Sequence, residues 1–233
     1  MARKKGPQAE EAYQYIRDRI TKFSLLPGEE ISDSKFDSLL DMSRSPIREA
    51  ILRLQADGLI ENSNGKLVVA SLSARDIIEI CQVRRSIEVS SMELLLDHGG
   101  PDAETLAELE TILQSMKSSD RMRNYDQDDK FHNLLLQAAG NSRMIEIGNK
   151  MRLQISRARW LNLIFPERLT VATREHEEIF EALSKNDRQR ACAALARHLD
   201  NSAENFKLVL SDPSMNAQFL RGIASMLSDT SDT

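Results

Sequence analysis

The sequence predicts a mainly α-helical protein in two parts. Residues 8–70 form a small unit of three helices closed by a β-hairpin, and residues 74–227 form an antiparallel all-α bundle of six to seven helices. Three observations carry this. Leu, Ala, Ile and Met dominate the apolar residues, which favours helix over strand. From residue 74 to about 210 the apolar positions recur at helical spacing, broken only by short Gly, Pro or Asn signals. Asn64-Gly65, between two short alternating segments, is a two-residue hairpin turn.

The first helix, 8–23, places Ala12, Tyr15 or Ile16, Arg19 and Phe23 on one face, and Leu26-Pro27-Gly28 stops it. Ser32 or Asp33 caps a short second helix that runs to about Leu40. Ser45-Pro46 opens a third, with serine as the cap and proline at the first helical position, where its missing N–H costs nothing. This helix carries Ile47, Ala50, Ile51 and Leu54 on one side and ends at Gly58. Leu59–Glu61 and Lys66–Val69 are the hairpin strands, so the unit has the winged helix-turn-helix order.

Ser71-Leu72-Ser73 is the joint, and Ser73-x-x-Asp76 has the form of a capping box. Helices follow near 74–97, 103–119, 122–138, 142–163, 168–185 and 188–210. Gly99-Gly100-Pro101, Gly140-Asn141, Phe165-Pro166 and Asn186-Asp187 mark the breaks. A shorter amphipathic helix is expected at 213–227, and the Ser/Asp/Thr stretch 228–233 is expected to be disordered.

The formal net charge is −5, which by itself does not point to nucleic acid. Its distribution is uneven. Residues 1–70 hold 11 of the 31 Lys+Arg and 11 of the 36 Asp+Glu, a balance of zero, whereas the remainder holds 20 against 25. The N-terminal unit must therefore cluster its cations in space to face DNA. Cys81 and Cys192 lie far apart in helical patterns and read as buried small apolar residues, not as a disulfide or a metal pair. No apolar run approaches the ~20 residues of a membrane span, and Met-Ala-Arg-Lys-Lys-Gly-Pro has no apolar stretch behind it. A cytoplasmic protein with no membrane partner is expected.

The start of the third helix, Ser43-Arg44-Ser45-Pro46-Ile47-Arg48-Glu49, is the segment that a helix-turn-helix lays in the major groove. Arg44 and Arg48 reach base edges, where a bidentate contact to guanine is the commonest specific pairing. Ser43 and Ser45 offer hydroxyls to phosphates at a helix N-terminus, and Lys35 and Lys66 add backbone contacts.

In the second part, Asp128-x3-His132, His176 and His198 each fall on the apolar stripe of a predicted helix. Asp128 and His132 share a helix face, with Cβ atoms about 6 Å apart. Bundles build metal sites from inward residues on different helices. Three imidazoles favour Zn or Ni, and the carboxylate admits Mn or Fe. Arg84 lies on the face of Ile77, Ile80 and Ile87, where a buried guanidinium needs a carboxylate, either an effector or a protein acid such as Glu88. Ser202 and Asn205, one and two turns past His198, are further candidates to line an effector pocket.

Leu26-Pro27-Gly28-Glu29, Ser43-Arg44-Ser45-Pro46-Ile47-Arg48-Glu49-Ala50-Ile51-x-x-Leu54 and Asp57-Gly58-Leu59-Ile60 resemble the GntR family of bacterial transcription regulators. The resemblance implies that Arg44 and Arg48 read bases, that Ser43 and Ser45 hold phosphates, and that the wing tip Asn64-Gly65 approaches the minor groove. Phe36-Asp37 departs from the family's usual Leu-Ala, and Asp41 stands where the turn glycine is usual. The segments Val83-Arg84-x-x-Ile87-Glu88, Asp128-x3-His132-x-x-Leu135, Gly140-Asn141, Glu175-His176-x-x-Ile179 and His198-Leu199 resemble the FCD ligand-binding domain of the family's FadR branch. That resemblance implies a divalent metal on Asp128, His132, His176 and His198, and a homodimer on a palindromic operator.

The sequence thus points to a regulator, in the repressor sense, controlled by a small organic or sugar acid. Two alternatives remain: the metal itself as signal, or a metal-dependent hydrolase or oxygenase. The enzyme reading lacks a general base beside the ligands and leaves residues 8–70 without a purpose.

Overall fold

In the computed structural model the described residues are 6–71, 73–118, 120–160, 165–215, 217–218 and 221–222. They divide into two compact units between Leu72 and Ser73.

The first unit consists of α1 (Pro7–Thr21), α2 (Asp33–Leu40), α3 (Arg44–Ala56) and the antiparallel strands β1 (Ile60–Ser63) and β2 (Lys66–Val69). Ala12, Ile16, Ile20, Phe36, Ile47, Ala50 and Leu54 are buried and tie the three helices together. Phe36 fills its core position and packs edge-on against Tyr15, ring centroids 6.5 Å apart. The hairpin pairs Ile60 with Val69 and Ser63 with Lys66. Asn64 and Gly65 both have positive φ, 53° and 83°, the conformation a two-residue type I′ turn requires. The chain at Gly28–Ile31 lies alongside β2: Val69 N donates to Glu29 O at 2.9 Å and Ile31 N to Leu67 O at 2.8 Å. The sequence pattern gave no sign of this third extended segment.

One cap differs from expectation. The N-cap of α3 is Ser43, not Ser45, so Pro46 is the third helical residue. Proline is tolerated there because the first-turn N–H groups have no intrahelical acceptor. Asp41, which ends α2, takes the left-handed conformation (φ 48°, ψ 45°) that explains why glycine suits this turn.

The second unit holds α4 (Ala74–Asp97), α5 (Ala103–Met116), α6 (Arg121–Ala138), α7 (Ser142–Arg159), α8 (Pro166–Ser184) and α9 (Arg188–Ser211). The Ser73 capping box is present: Asp76 N donates to Ser73 Oγ at 3.1 Å, and Ser73 N to Asp76 Oδ2 at 3.3 Å. Asn141 Oδ1 caps α7, and Asp102, Asp120 and Asp187 cap α5, α6 and α9. Each satisfies an orphan N–H. Met92, Leu109, Ile112, Phe131, Ile179 and Leu195 lie at the centre of one apolar core shared by five of these helices.

α7 ends at Arg159, and the expected continuation at 161–163 lies outside the described residues. The same holds for most of the helix expected at 213–227 and for all of 228–233. Cys81 is buried as expected but Cys192 is only partly so, and neither forms a disulfide. Among the described residues no helix is long and apolar enough to cross a membrane.

Candidate metal centre and candidate nucleic-acid interface

The four metal candidates converge. Asp128 and His132 come from α6, His176 from α8 and His198 from α9, and one donor atom of each lies within 4.8 Å of all the others. The imidazoles are 1–2% exposed. His132 Nε2 lies 3.1 Å from His198 Nε2 and 3.3 Å from His176 Nε2. Asp128 Oδ1 lies 3.5 Å from His176 Nε2 and 4.0 Å from His132 Nε2.

The far sides of two rings decide what faces the middle. His132 Nδ1 meets Glu88 Oε2 at 2.7 Å, and His198 Nδ1 meets Glu175 Oε2 at 2.7 Å. Burial alone would raise both carboxyls. The Arg84 charge and the hydrogen bond from His132 at Glu88, and hydrogen bonds from His198, Arg168 and Asn201 to Glu175, outweigh it and hold each at about 2. Both acids are therefore anionic acceptors, so each Nδ1 carries the donated proton. A neutral ring protonated at Nδ1 has a bare lone pair at Nε2. Two such lone pairs then face one another across 3.1 Å, an arrangement that calls for a cation between them.

The spacing fits a metal. Nitrogens about 2.1 Å from a common ion lie roughly 3.0 Å apart at a right angle and roughly 3.4 Å apart at the tetrahedral angle. The observed 3.1 and 3.3 Å fall between these values. Asp128 is held from behind by Arg159, whose Nη2 is 2.9 Å from Oδ2, which leaves Oδ1 turned to the histidines. Burial would raise this carboxyl too. The Arg159 guanidinium beside it keeps it well below the usual range. Burial, with the neighbouring His198, pushes His176 well below its ordinary value and keeps it neutral, and its Nδ1 has no hydrogen-bond partner among the described residues.

The sequence left two partners open for Arg84, and the structure gives it the protein acid. Its Nε donates to Glu88 Oε1 at 2.5 Å, so Arg84 braces the carboxylate that orients His132. Ser202 meets a cation that sequence reading missed. Arg168 Nη2 donates to Ser202 Oγ at 3.0 Å and to Glu175 Oε2 at 2.8 Å. Its Nε and Nη1 are buried without a partner among the described residues, as is Asn205 Nδ2. Of four acids and arginines around the site, Glu88 was named only as a possible partner of Arg84, and Arg159, Arg168 and Glu175 were missed. A signal for two of them was present: Glu88 is one helical turn from Arg84, and Glu175 precedes His176 directly.

On the first unit, Ser43, Arg44, Ser45 and Arg48 are exposed at the start of α3, and Asn64, Gly65 and Lys66 are exposed at the wing. Lys35 is half-buried. Ser43 makes no side-chain cap bond, which leaves its hydroxyl available to a phosphate.

Comparison with known proteins agrees with both halves. Residues 8–68 match the family model for bacterial regulatory proteins of the gntR family, and residues 79–201 match the FCD domain. The chain is 30% identical to the HTH-type transcriptional regulator YdhC of Bacillus subtilis over 88% of its own length and 93% of the relative's. It is 23% identical to the HTH-type transcriptional repressor RspR of Escherichia coli, over 87% and 90% of the two chains. Among solved structures, E. coli McbR/YncC shares the fold with a TM-score of 0.72 at 18% identity, covering 84% of this chain and 95% of that one.

Proposed function

The chain belongs to the GntR family of DNA-binding transcriptional regulators and carries an FCD domain. From that premise we propose that its affinity for DNA is set by a small carboxylate held at a divalent metal in the helical unit. The families it matches are those of regulators, not enzymes.

The convergence of the bare Nε2 atoms of His132 and His198 carries this reading. Asp128, His132, His176 and His198 would hold the metal, with Zn or Ni preferred and Mn or Fe admissible. When bound, the metal supplies a buried positive charge and open positions for an oxygen ligand. Charge then selects the effector. Asp128, Asp129, Glu88 and Glu175 contribute four negative charges, and Arg84, Arg152, Arg159 and Arg168 four positive ones, so the protein groups cancel. A divalent ion raises the balance to about +2, which in a buried setting favours an anion. A hydroxyl beside the carboxylate would add a second ligand atom, so hydroxy acids and sugar acids fit best.

Arg168 is the cation best suited to the effector carboxylate, because two of its buried N–H-bearing atoms have no partner among the described residues. Ser202 accepts from it, and Asn205, whose buried Nδ2 has no partner among the described residues, is the further effector candidate in this proposal. Arg84 contributes through Glu88 and His132 as a brace, in place of the direct contact that its position on the helix first suggests. α4, which carries Arg84 and Glu88, begins immediately after the joint at Ser71–Ser73. Effector binding can shift DNA affinity through α4 only if the effector favours one of its arrangements. Repression, a homodimer and a palindromic operator complete the proposal. RspR is described as a repressor, and two-fold protein symmetry mirrors a two-fold site.

A thermal-shift screen of metal-loaded protein with hydroxy acids, sugar acids and the matching neutral sugars tests the reading. Acids should raise the melting temperature of wild type, neutral sugars should not, and Arg168→Ala should abolish the response. Equal stabilisation by neutral sugars would refute it.

A further inference from the structure

The four cations placed on DNA share a feature that the metal chemistry does not touch. Each is already matched with an acid of the same unit. Arg48 Nη2 lies 2.5 Å from Asp33 Oδ2, and Arg44 Nε lies 3.3 Å from Asp37 Oδ2. Lys35 Nζ lies 2.5 Å from Glu29 Oε1, and Lys66 Nζ lies 2.6 Å from Glu30 Oε2. The zero charge balance of residues 1–70 is thus realised locally, on the face that meets DNA.

The arginine pairs form a ladder. Asp33 and Asp37 are one turn apart on α2, Arg44 and Arg48 are one turn apart on α3, and the rungs join them in antiparallel order. The acids are the inner members, with side chains 19% and 30% exposed, and the arginine side chains are the outer ones, at 70% and 62%. A guanidinium has five N–H donors, and each rung uses one of them. The rest of the fork stays free to reach guanine.

We propose that Asp33 and Asp37 determine DNA specificity by bracing Arg48 and Arg44 towards bases while penalising the docking of those arginines on phosphates. The proposal rests on the reading of Arg44 and Arg48 as base readers. Non-specific binding consists almost entirely of cations meeting phosphates. An arginine that turns to a phosphate must leave its carboxylate, or carry that negative charge against the backbone. An arginine that reads a base edge keeps its brace and gains a neutral partner. The acids therefore weigh on every non-specific complex and spare the specific one.

The test compares wild type, Asp33→Asn, Asp37→Asn and the double variant on two duplexes across a range of salt. One duplex is a random-sequence 30-mer, and the other is the tightest duplex recovered by in vitro selection on wild type. Asparagine keeps shape and the capacity to accept a hydrogen bond but removes the charge. The double variant should bind random DNA at least about 5-fold more tightly and with a steeper salt dependence, since removing an opposing charge increases net counterion release. Its affinity for the selected duplex should change less than about 2-fold, or fall. Equal tightening on both duplexes, weakening on both, or no change on random DNA would each overturn the proposal. The single variants and Glu30→Gln at the exposed wing keep the test open if the double variant melts early. Glu30→Gln should also tighten random DNA, and its failure to do so while folded counts against the mechanism. If selection on wild type yields no preferred duplex, the base-reading assignment fails instead, and the two failures are distinct.

Discussion

Replacing Glu88 with glutamine separates the metal site from the fold that carries it. Glu88 is buried, accepts from His132 Nδ1 at 2.7 Å and holds Arg84 Nε at 2.5 Å. Two effects follow. Glutamine keeps one acceptor oxygen where Glu88 uses two, so it cannot accept from both Arg84 Nε and His132 Nδ1, and the anionic brace that fixes the His132 tautomer is lost; partners of this kind are worth about 10–100-fold in metal affinity. Arg84 is also left as a buried charge without its counterion, which costs about 3 kcal/mol or more. For a unit of this size that lowers the melting temperature by roughly 10 °C. Adding Arg84→Met removes the stranded charge, so the double variant should recover most of the melting temperature in chelator yet bind metal as weakly as Glu88→Gln. Metal affinity is read by zinc titration against a chromophoric chelator, and stability by melts of the apo protein. A Glu88→Gln variant with wild-type zinc affinity would refute the reasoning. So would a double variant that recovers affinity together with stability.

Three other outcomes are expected. Arg48→Ala should lose about 1–3 kcal/mol per half-site on its preferred duplex while keeping its fold, whereas Ser43→Ala should weaken all sequences alike; preserved specificity in Arg48→Ala would remove it from the reading set. Stability of the apo protein should fall as pH drops below about 6.5, because His176 and His198 fold with lowered values and the unfolded chain binds more protons there. Glu88 and Glu175, each held at about 2, extend the loss below about pH 4.5, and melts in chelator from pH 8 to pH 4 that stay flat would contradict both. Asp41→Gly should raise the unfolding free energy by about 0.5 kcal/mol, read as a slightly higher urea midpoint, because relief of the left-handed backbone outweighs the entropy glycine adds to the unfolded chain; a lower midpoint would show that the turn is not strained.

The fold was largely legible in the sequence because its signals are local. Gly and Pro breaks, the Ser73 box and the Asn64-Gly65 turn each act within a few residues. The convergence of Asp128, His132, His176 and His198 was also legible, since a spaced pair and two stripe positions restrict where the side chains can point. The surrounding acids and arginines were less so. Arg159 meets Asp128 across 31 residues and Arg168 meets Ser202 across 34, and no helical period relates them. Arg84 illustrates the limit. Its position on an apolar face announced a need for a carboxylate, but helical spacing alone did not decide between an effector and Glu88, one turn along the same helix. The Ser45 cap failed for a different reason: Ser43 and Ser45 are both good caps, and the local pattern does not rank them.

The central claim is that four side chains on three helices hold one divalent ion. Elemental analysis of protein purified without chelator, run beside His132→Ala and His198→Ala, tests it most directly. The account predicts about one Zn, Ni, Mn or Fe per wild-type chain, and most of it lost from each folded variant. Wild-type protein that contains no such metal, and whose melting temperature does not rise when Zn or Ni is added, would contradict it.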